Sequence, residues 1–122
     1  MFKNRTLFQS FKYSFEGLNH AIRQNQNLRI HIVIAVVVIM LGLILGVSQF
    51  EMGILGVMIL LVLMAEMINT ALEEMVDLIV TEHRRQAKIA KDVASGMVLV
   101  ATIGSAIFGA FIFLPHVVKL LG

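Results

Sequence analysis

The stretch Ala65-Glu-Met-Ile-Asn-Thr-Ala-Leu-Glu-Glu-Met-Val-Asp-Leu-Ile79 decides the fold. At 100° per residue, Glu66, Asn69, Glu73 and Asp77 fall within about a quarter-turn of one another, so three carboxylates and an amide share one helix face beside Thr70. The residues before and around this stripe are apolar. An ionised carboxylate at bilayer depth costs about 2.5 kcal/mol or more, so a helix that keeps several there directs them at water, metal or substrate and not at lipid.

Composition makes the bilayer the relevant solvent. The chain has 122 residues, 58% of them hydrophobic, and a mean hydropathy of +0.88. These values predict a single all-α membrane domain over residues 1–122. With no cysteine, disulfides, thiolate nucleophiles and cysteine-based metal sites are excluded. A net charge of +2 is too small to point to nucleic acid.

Three apolar spans follow, at about 28–48, 52–80 and 92–114. The first contains an uninterrupted apolar run from Ile32 to Val47, with Arg29 and His31 at its edge. The second continues helically through the acidic stripe. From Gly53 to Val80 it would measure about 40 Å, longer than the roughly 30 Å hydrocarbon core, so its far end must emerge or tilt. The third ends at Pro115, the only proline, where a helix is expected to stop or kink.

Ahead of these spans, over about 6–27, Phe8, Phe11, Phe15, Leu18 and Ile22 repeat at alternating spacings of three and four. Lys12, Glu16, Asn19 and Arg23 occupy other faces. This pattern predicts an amphipathic helix lying in the membrane surface, the alternative being a helix packed on other protein. No continuous apolar segment of the signal-peptide kind occurs in the first 28 residues.

Basic residues set the expected orientation. Lys3, Arg5, Lys12, Arg23 and Arg29 precede the first span and Arg84, Arg85, Lys88 and Lys91 separate the second from the third, whereas the turn 48–51 carries none. The N-terminus and the second loop are therefore expected in the cytoplasm, with Lys119 a weak exception on the other side. The stripe then lies near the cytoplasmic interface, with Glu66 deepest, Glu73 about 10 Å further out and Asp77 beyond it.

Carboxylates graded in depth suit a reaction between a membrane-borne group and a water-soluble one. A deep carboxylate can act as general base on a lipid hydroxyl, while shallower ones hold a divalent cation or orient a charged cosubstrate beside the basic loop. Phosphoryl transfer has these requirements. No nucleotide-binding glycine loop of the soluble kinases is present. A small proton- or cation-coupled transporter subunit, with Glu66 as the carrier carboxylate, is the alternative of another class, and a purely structural membrane oligomer is a third.

The run Glu66-x2-Asn69-Thr70-Ala71-Leu72-Glu73-x3-Asp77, followed by Ala87-Lys88-x-Ala90-Lys91-Asp92-x-Ala94-Ser95-Gly96, resembles the bacterial integral-membrane diacylglycerol kinase family. Phe11-Lys12-Tyr13-Ser14-Phe15-Glu16-Gly17-Leu18 and Asn27-Leu28-Arg29-Ile30-His31 resemble its Gram-positive-type branch, whose members mostly phosphorylate undecaprenol. The resemblance covers nearly the whole chain.

It implies an ATP- and Mg2+-dependent lipid kinase of the bacterial plasma membrane, a homotrimer whose active sites are shared between subunits. Undecaprenol is the implied substrate and diacylglycerol the alternative. Glu66 matches the proton acceptor and Glu73 a metal-binding glutamate that also contacts ATP. Asn69 and Asp77 match supporting polar residues. Lys91 and Asp92 match the pair at the nucleotide, with Glu82, His83 and Arg84 in the adjacent loop and Tyr13 nearby. Ser14, Phe15, Glu16, Gly17, Leu18 and Ser95 match the lipid side. Two ladders of small residues, Ala101-Ser105-Gly109 and Gly42-Gly46, are suited to close helix approach in an oligomer.

One position departs from the family. Where a second metal-binding, nucleotide-contacting glutamate is expected, this chain has Asn25. Its amide can offer a carbonyl oxygen to magnesium but no charge. A natural variant with weaker metal binding, an engineered substitution and a shifted alignment all fit. His20, His31, His83 and His116 form no metal-binding spacing; all but His83 are expected at the interface.

Overall fold

A computed structural model of the chain describes residues 5–122. Lys3, counted above among the basic residues, lies outside them. Four α-helices follow one another: α1 (Leu7–Gln24), α2 (Gln26–Leu45), α3 (Gln49–Ile79) and α4 (Arg85–Leu121). The last three are each long and apolar enough to cross a membrane. They form an all-α membrane architecture preceded by an amphipathic helix.

Helix α1 starts at a capping box in which Thr6 accepts from the Gln9 backbone N–H while the Gln9 side chain accepts from the Thr6 N–H. Its aromatic face is not covered by protein: Phe8, Phe11 and Phe15 are all exposed, and only Ala21 of this helix is buried. That leaves the face free for the membrane surface.

The chain breaks for a single residue between α1 and α2. Asn25 is at once the C-cap of α1, its N–H reaching Ala21 O, and the N-cap of α2, its side chain accepting from Leu28 N–H. Arg29 reaches back from the first turn of α2 to the carbonyls of Ile22 and Arg23, at 2.8 and 2.6 Å. A guanidinium thus satisfies acceptors that the end of α1 leaves open.

Helix α2 is apolar on all sides, but it buries Leu28, Ala35 and Gly42, a seven-residue repeat facing its neighbours. Gly42 lies against α3 of the same chain: a Cβ there would come within 2.7 Å of Met52 Cε. Gly46 ends the helix with φ +72°, a conformation that glycine adopts without strain. Gly42 thus serves the close approach of α2 and α3 within the chain, and Gly46 the turn between them.

Helix α3 begins at Gln49, ahead of the apolar span expected from 52, because Ser48 and Glu51 form a second capping box. Helix α4 packs chiefly along α3. It starts at Arg85 and runs through Pro115 to Leu121, rather than stopping near 114. A membrane helix tolerates the N–H that proline removes, because neighbouring groups and local adjustment absorb the change. Just beyond the proline, His116 Nε2 lies 3.1 Å from Glu51 Oε1 and joins the end of α4 to the start of α3.

Candidate active site

The acidic stripe of α3 forms as the periodicity predicts, and burial grades along it. Glu66 is 1% exposed and Thr70 9%, Asn69 is half-buried, and Glu73 and Asp77 are exposed. Glu66 faces the break between α1 and α2. Asn25 Nδ2 donates to Glu66 Oε2 at 2.9 Å and to Thr70 Oγ1 at 2.8 Å. Thr70 Oγ1 donates in turn to the Glu66 carbonyl at 3.1 Å. On the other carboxylate oxygen, His31 Nε2 lies 3.4 Å from Glu66 Oε1. A carboxylate withdrawn from water thus has a nitrogen beside each oxygen, which offsets part of its desolvation.

Asn25 and Thr70 stand between Glu66 and a polar cleft of about 360 Å³, lined by Gln24, Asn25, Gln26, Asn27, Asn69, Thr70, Glu73, Glu74 and Asp77. Asn69 Nδ2 is 3.4 Å from Glu73 Oε1. The Asn69 Oδ1 atom is buried with no partner among the described residues. Glu74, about 100° round the helix from Glu73, is occupied elsewhere: its Oε1 lies 3.3 Å from His20 Nε2 and helps hold α1 on α3.

A second cleft of about 360 Å³ sits where α3 passes into α4, lined by Asp77, Glu82, His83, Arg84, Lys88, Lys91 and Asp92 among others. Lys91 Nζ bonds Asp77 Oδ1 at 2.6 Å, and Lys88 Nζ bonds Asp92 Oδ2 at 2.7 Å. Asp77 lines both clefts, so the two adjoin. Two lysines and an arginine line this cleft, each within 4 Å of one of its three carboxylates.

The structure thus gathers Asn25, Asn69, Glu73 and Asp77 in one cleft, with Glu66 buried behind Asn25, and Glu82, His83, Arg84, Lys91 and Asp92 in the next. It does not bring the remaining expected residues to either. Tyr13, Ser14, Phe15, Glu16, Gly17 and Leu18 are all exposed on α1, and Ser95 is exposed on α4; the Tyr13 ring stacks under Arg5, 5.2 Å from the guanidinium carbon.

Two residues beside Glu66 were not anticipated as site residues. Thr70 lay in the stripe but carried no role, and His31 was assigned to the interface. His31 sits three residues after Leu28 and four before Ala35, on the buried face of α2, a face that the all-round apolar sequence of the helix does not mark. His31 also lines an apolar groove of about 370 Å³ between α2, α3 and α4, with Ala35, Leu55, Val62, Ser105 and Gly109 along it. Ser105 and Gly109 therefore face a groove inside the chain.

Among the described residues no group of three or more His, Cys, Asp or Glu side chains is disposed to hold a metal ion. Magnesium that arrives on nucleotide phosphates needs only one or two protein carboxylates. Glu73, exposed in the polar cleft beside the unpartnered Asn69 oxygen, fits that need. Asn25 lines the same cleft, but its Oδ1 accepts from Leu28 N–H at 3.0 Å and its nitrogen is committed to Glu66 and Thr70.

Comparison with known proteins identifies the family. The family model for prokaryotic diacylglycerol kinase matches residues 12–113. The chain is similar to a diacylglycerol kinase of Synechocystis sp., 38% identical over 116 residues that cover 94% of this chain and 66% of that protein. It is 37% identical over 108 residues to an undecaprenol kinase of Bacillus subtilis, with 88% of each covered. It is 33% identical to a diacylglycerol kinase of Haemophilus influenzae, covering 88% of this chain and 92% of that one. The chain belongs to the prokaryotic diacylglycerol kinase family.

Proposed function

We propose that this chain transfers the γ-phosphoryl group of ATP to the hydroxyl of a membrane lipid, undecaprenol before diacylglycerol, at the cytoplasmic face of a bacterial plasma membrane. That it is a lipid kinase of a multi-pass bacterial membrane type follows from its family and its three apolar helices. The observation that carries the assignment of roles is the buried Glu66 held by Asn25, which lines a polar cleft that adjoins a second, charged cleft through Asp77.

In this reading Glu66 accepts the proton of the lipid hydroxyl as that oxygen attacks the γ-phosphorus and ADP departs. Lys91, Arg84 and the loop residues Glu82 and His83 hold the nucleotide, with Asp92 beside them. Magnesium, held by Glu73 together with the nucleotide's phosphates, would neutralise phosphate charge when bound. Asn69 and Asp77 keep Glu73 and Lys91 in place. The apolar groove that begins at His31 is suited to a hydrocarbon chain.

Tyr13, Ser14–Leu18 and Ser95 stand outside both clefts, which supports a homotrimer in which α1 of one subunit completes the site of a neighbour. The basic residues around α1 and the loop 80–84 support a cytoplasmic N-terminus and second loop. A transporter has no support from the family match.

The substrate preference rests on likeness to the Bacillus undecaprenol kinase, and diacylglycerol remains the second reading because other relatives carry that name. Purified protein in mixed micelles, given ATP, Mg2+ and either lipid at equal mole fraction, tests both. Faster phosphate transfer to undecaprenol is the expected result; faster transfer to diacylglycerol reverses the preference, and transfer to neither overturns the assignment.

A further inference from the structure

We propose that Asn25 and His31 are positioning residues for Glu66, one on each carboxylate oxygen, and that in this chain residue 25 acts on the base and not on the metal. The proposal rests on the assignment of Glu66 as general base.

The amide orientation of Asn25 follows from its surroundings. Its Nδ2 faces three acceptors, Glu66 Oε2 at 2.9 Å, Thr70 Oγ1 at 2.8 Å and the Glu66 carbonyl at 3.4 Å, and its Oδ1 faces one donor, the Leu28 N–H at 3.0 Å. Turning the amide over would set oxygen against a carboxylate and N–H against N–H. The contacts to Glu66 and to the Leu28 N–H would be lost and only the Thr70 hydroxyl, which can donate as well as accept, could re-pair, so the network itself selects this orientation. A carboxylate at position 25 has no N–H to donate, so this contact depends on the amide.

His31 completes the arrangement from α2, its Nε2 3.4 Å from Glu66 Oε1, with its side chain 18% exposed against 2% for Glu66. Asn25 and His31 lie at the two ends of one contact surface, at the cap of α2 and on the turn after it. Between them they fix the carboxylate in two directions. A base held in this way presents one set of lone pairs to an incoming hydroxyl without having to reorient, and this is the source of rate in positioned proton transfer.

Substitutions at position 25 separate positioning from metal binding. Asn25→Ser and Asn25→Asp both keep an oxygen able to cap the Leu28 N–H, so the start of α2 is retained. Both remove the amide donor. The expected result is a fall in kcat of about tenfold or more, while the KM for MgATP and the magnesium concentration at half-maximal rate stay within about twofold. A metal role predicts otherwise: Asn25→Asp would lower the magnesium requirement and raise kcat, and that outcome overturns the proposal. So does an unchanged kcat in a folded Asn25→Ser.

His31→Leu is expected to lower kcat in the same way, and His31→Gln, which keeps an N–H donor, to recover most of the loss. Equal kcat for His31→Leu and the unaltered chain overturns the part assigned to His31. Glu66→Gln, assayed in parallel, separates the two levels. If it is inactive while the Asn25 variants turn over normally, positioning alone fails; if it is fully active, the base assignment fails and positioning fails with it.

Discussion

Lys91 Nζ lies 2.6 Å from Asp77 Oδ1 and ties α4 to the last turn of α3 across the loop that carries Glu82, His83 and Arg84. Both side chains are partly open to water, at 37% and 66% exposure, so the bond contributes little to stability. Its consequence is positional: the lysine stands at the junction of the two clefts. Lys91→Met is therefore expected to raise the KM for ATP by about tenfold or more, through loss of one charge-assisted phosphate contact, with the unfolding temperature nearly unchanged. Steady-state rates against MgATP at fixed lipid, together with thermal unfolding in detergent, check both halves.

Glu73 is the carboxylate best placed for a nucleotide-borne cation. Glu73→Gln keeps the shape of the side chain and removes its charge, so about tenfold more magnesium should be needed for half-maximal rate. Glu66→Gln should lose turnover without that shift. Rates measured across a buffered magnesium series distinguish a ligand from a base.

The two glycines at the end of α2 should respond differently to alanine. At Gly46, with φ +72°, a Cβ imposes the left-handed penalty, and Gly46→Ala is expected to cost about 1–2 kcal/mol. At Gly42 the new methyl clashes with Met52 Cε, the flexible tip of a side chain that can turn aside, and otherwise meets Val47 Cγ2 at 3.4 Å, so the loss should be under about 1 kcal/mol. Unfolding midpoints of the two variants, measured in one detergent, should rank in that order.

Orientation can be read with single introduced cysteines, since the chain has none of its own. Gln49 in the first turn of α3 and Gln86 in the first turn of α4 are both exposed. An impermeant thiol reagent should label Gln49→Cys on intact cells and reach Gln86→Cys only after the membrane is opened. The reverse pattern would invert the topology drawn from the basic residues.

What was legible in the chain followed from contrast. Polar residues at helical spacing in an apolar helix exposed the stripe from Glu66 to Asp77, and aromatic residues spaced among charges exposed α1. Where contrast vanished, so did direction. Helix α2 is apolar all round, so nothing marked the face of Leu28, Ala35 and Gly42 as the inner one, and His31 could not be turned toward Glu66. Pro115 misled because helix-ending rules reflect water, where a freed carbonyl and a steric clash are hard to accommodate; in a long membrane helix neighbouring groups absorb both. Asn25 stood out as a departure, but the direction of its amide depended on Thr70 and Leu28 arriving from different helices.

Helix α2 has 20 residues and so measures about 30 Å, the thickness of the hydrocarbon layer, whereas α3 and α4 overrun it. The one helix of matching length is also the one whose cap residue holds Glu66. On the proposed reaction, in which Glu66 is the base, α2 works as a ruler, with its far end at one boundary of the oily layer and the base pinned at the other. That boundary is where long-chain alcohols carry their hydroxyl, whatever their tails, so acceptors are sorted by how high the reacting oxygen rides in the leaflet. A bilayer that thickens or thins would move that oxygen relative to Glu66, so on this reading the rate should follow membrane thickness.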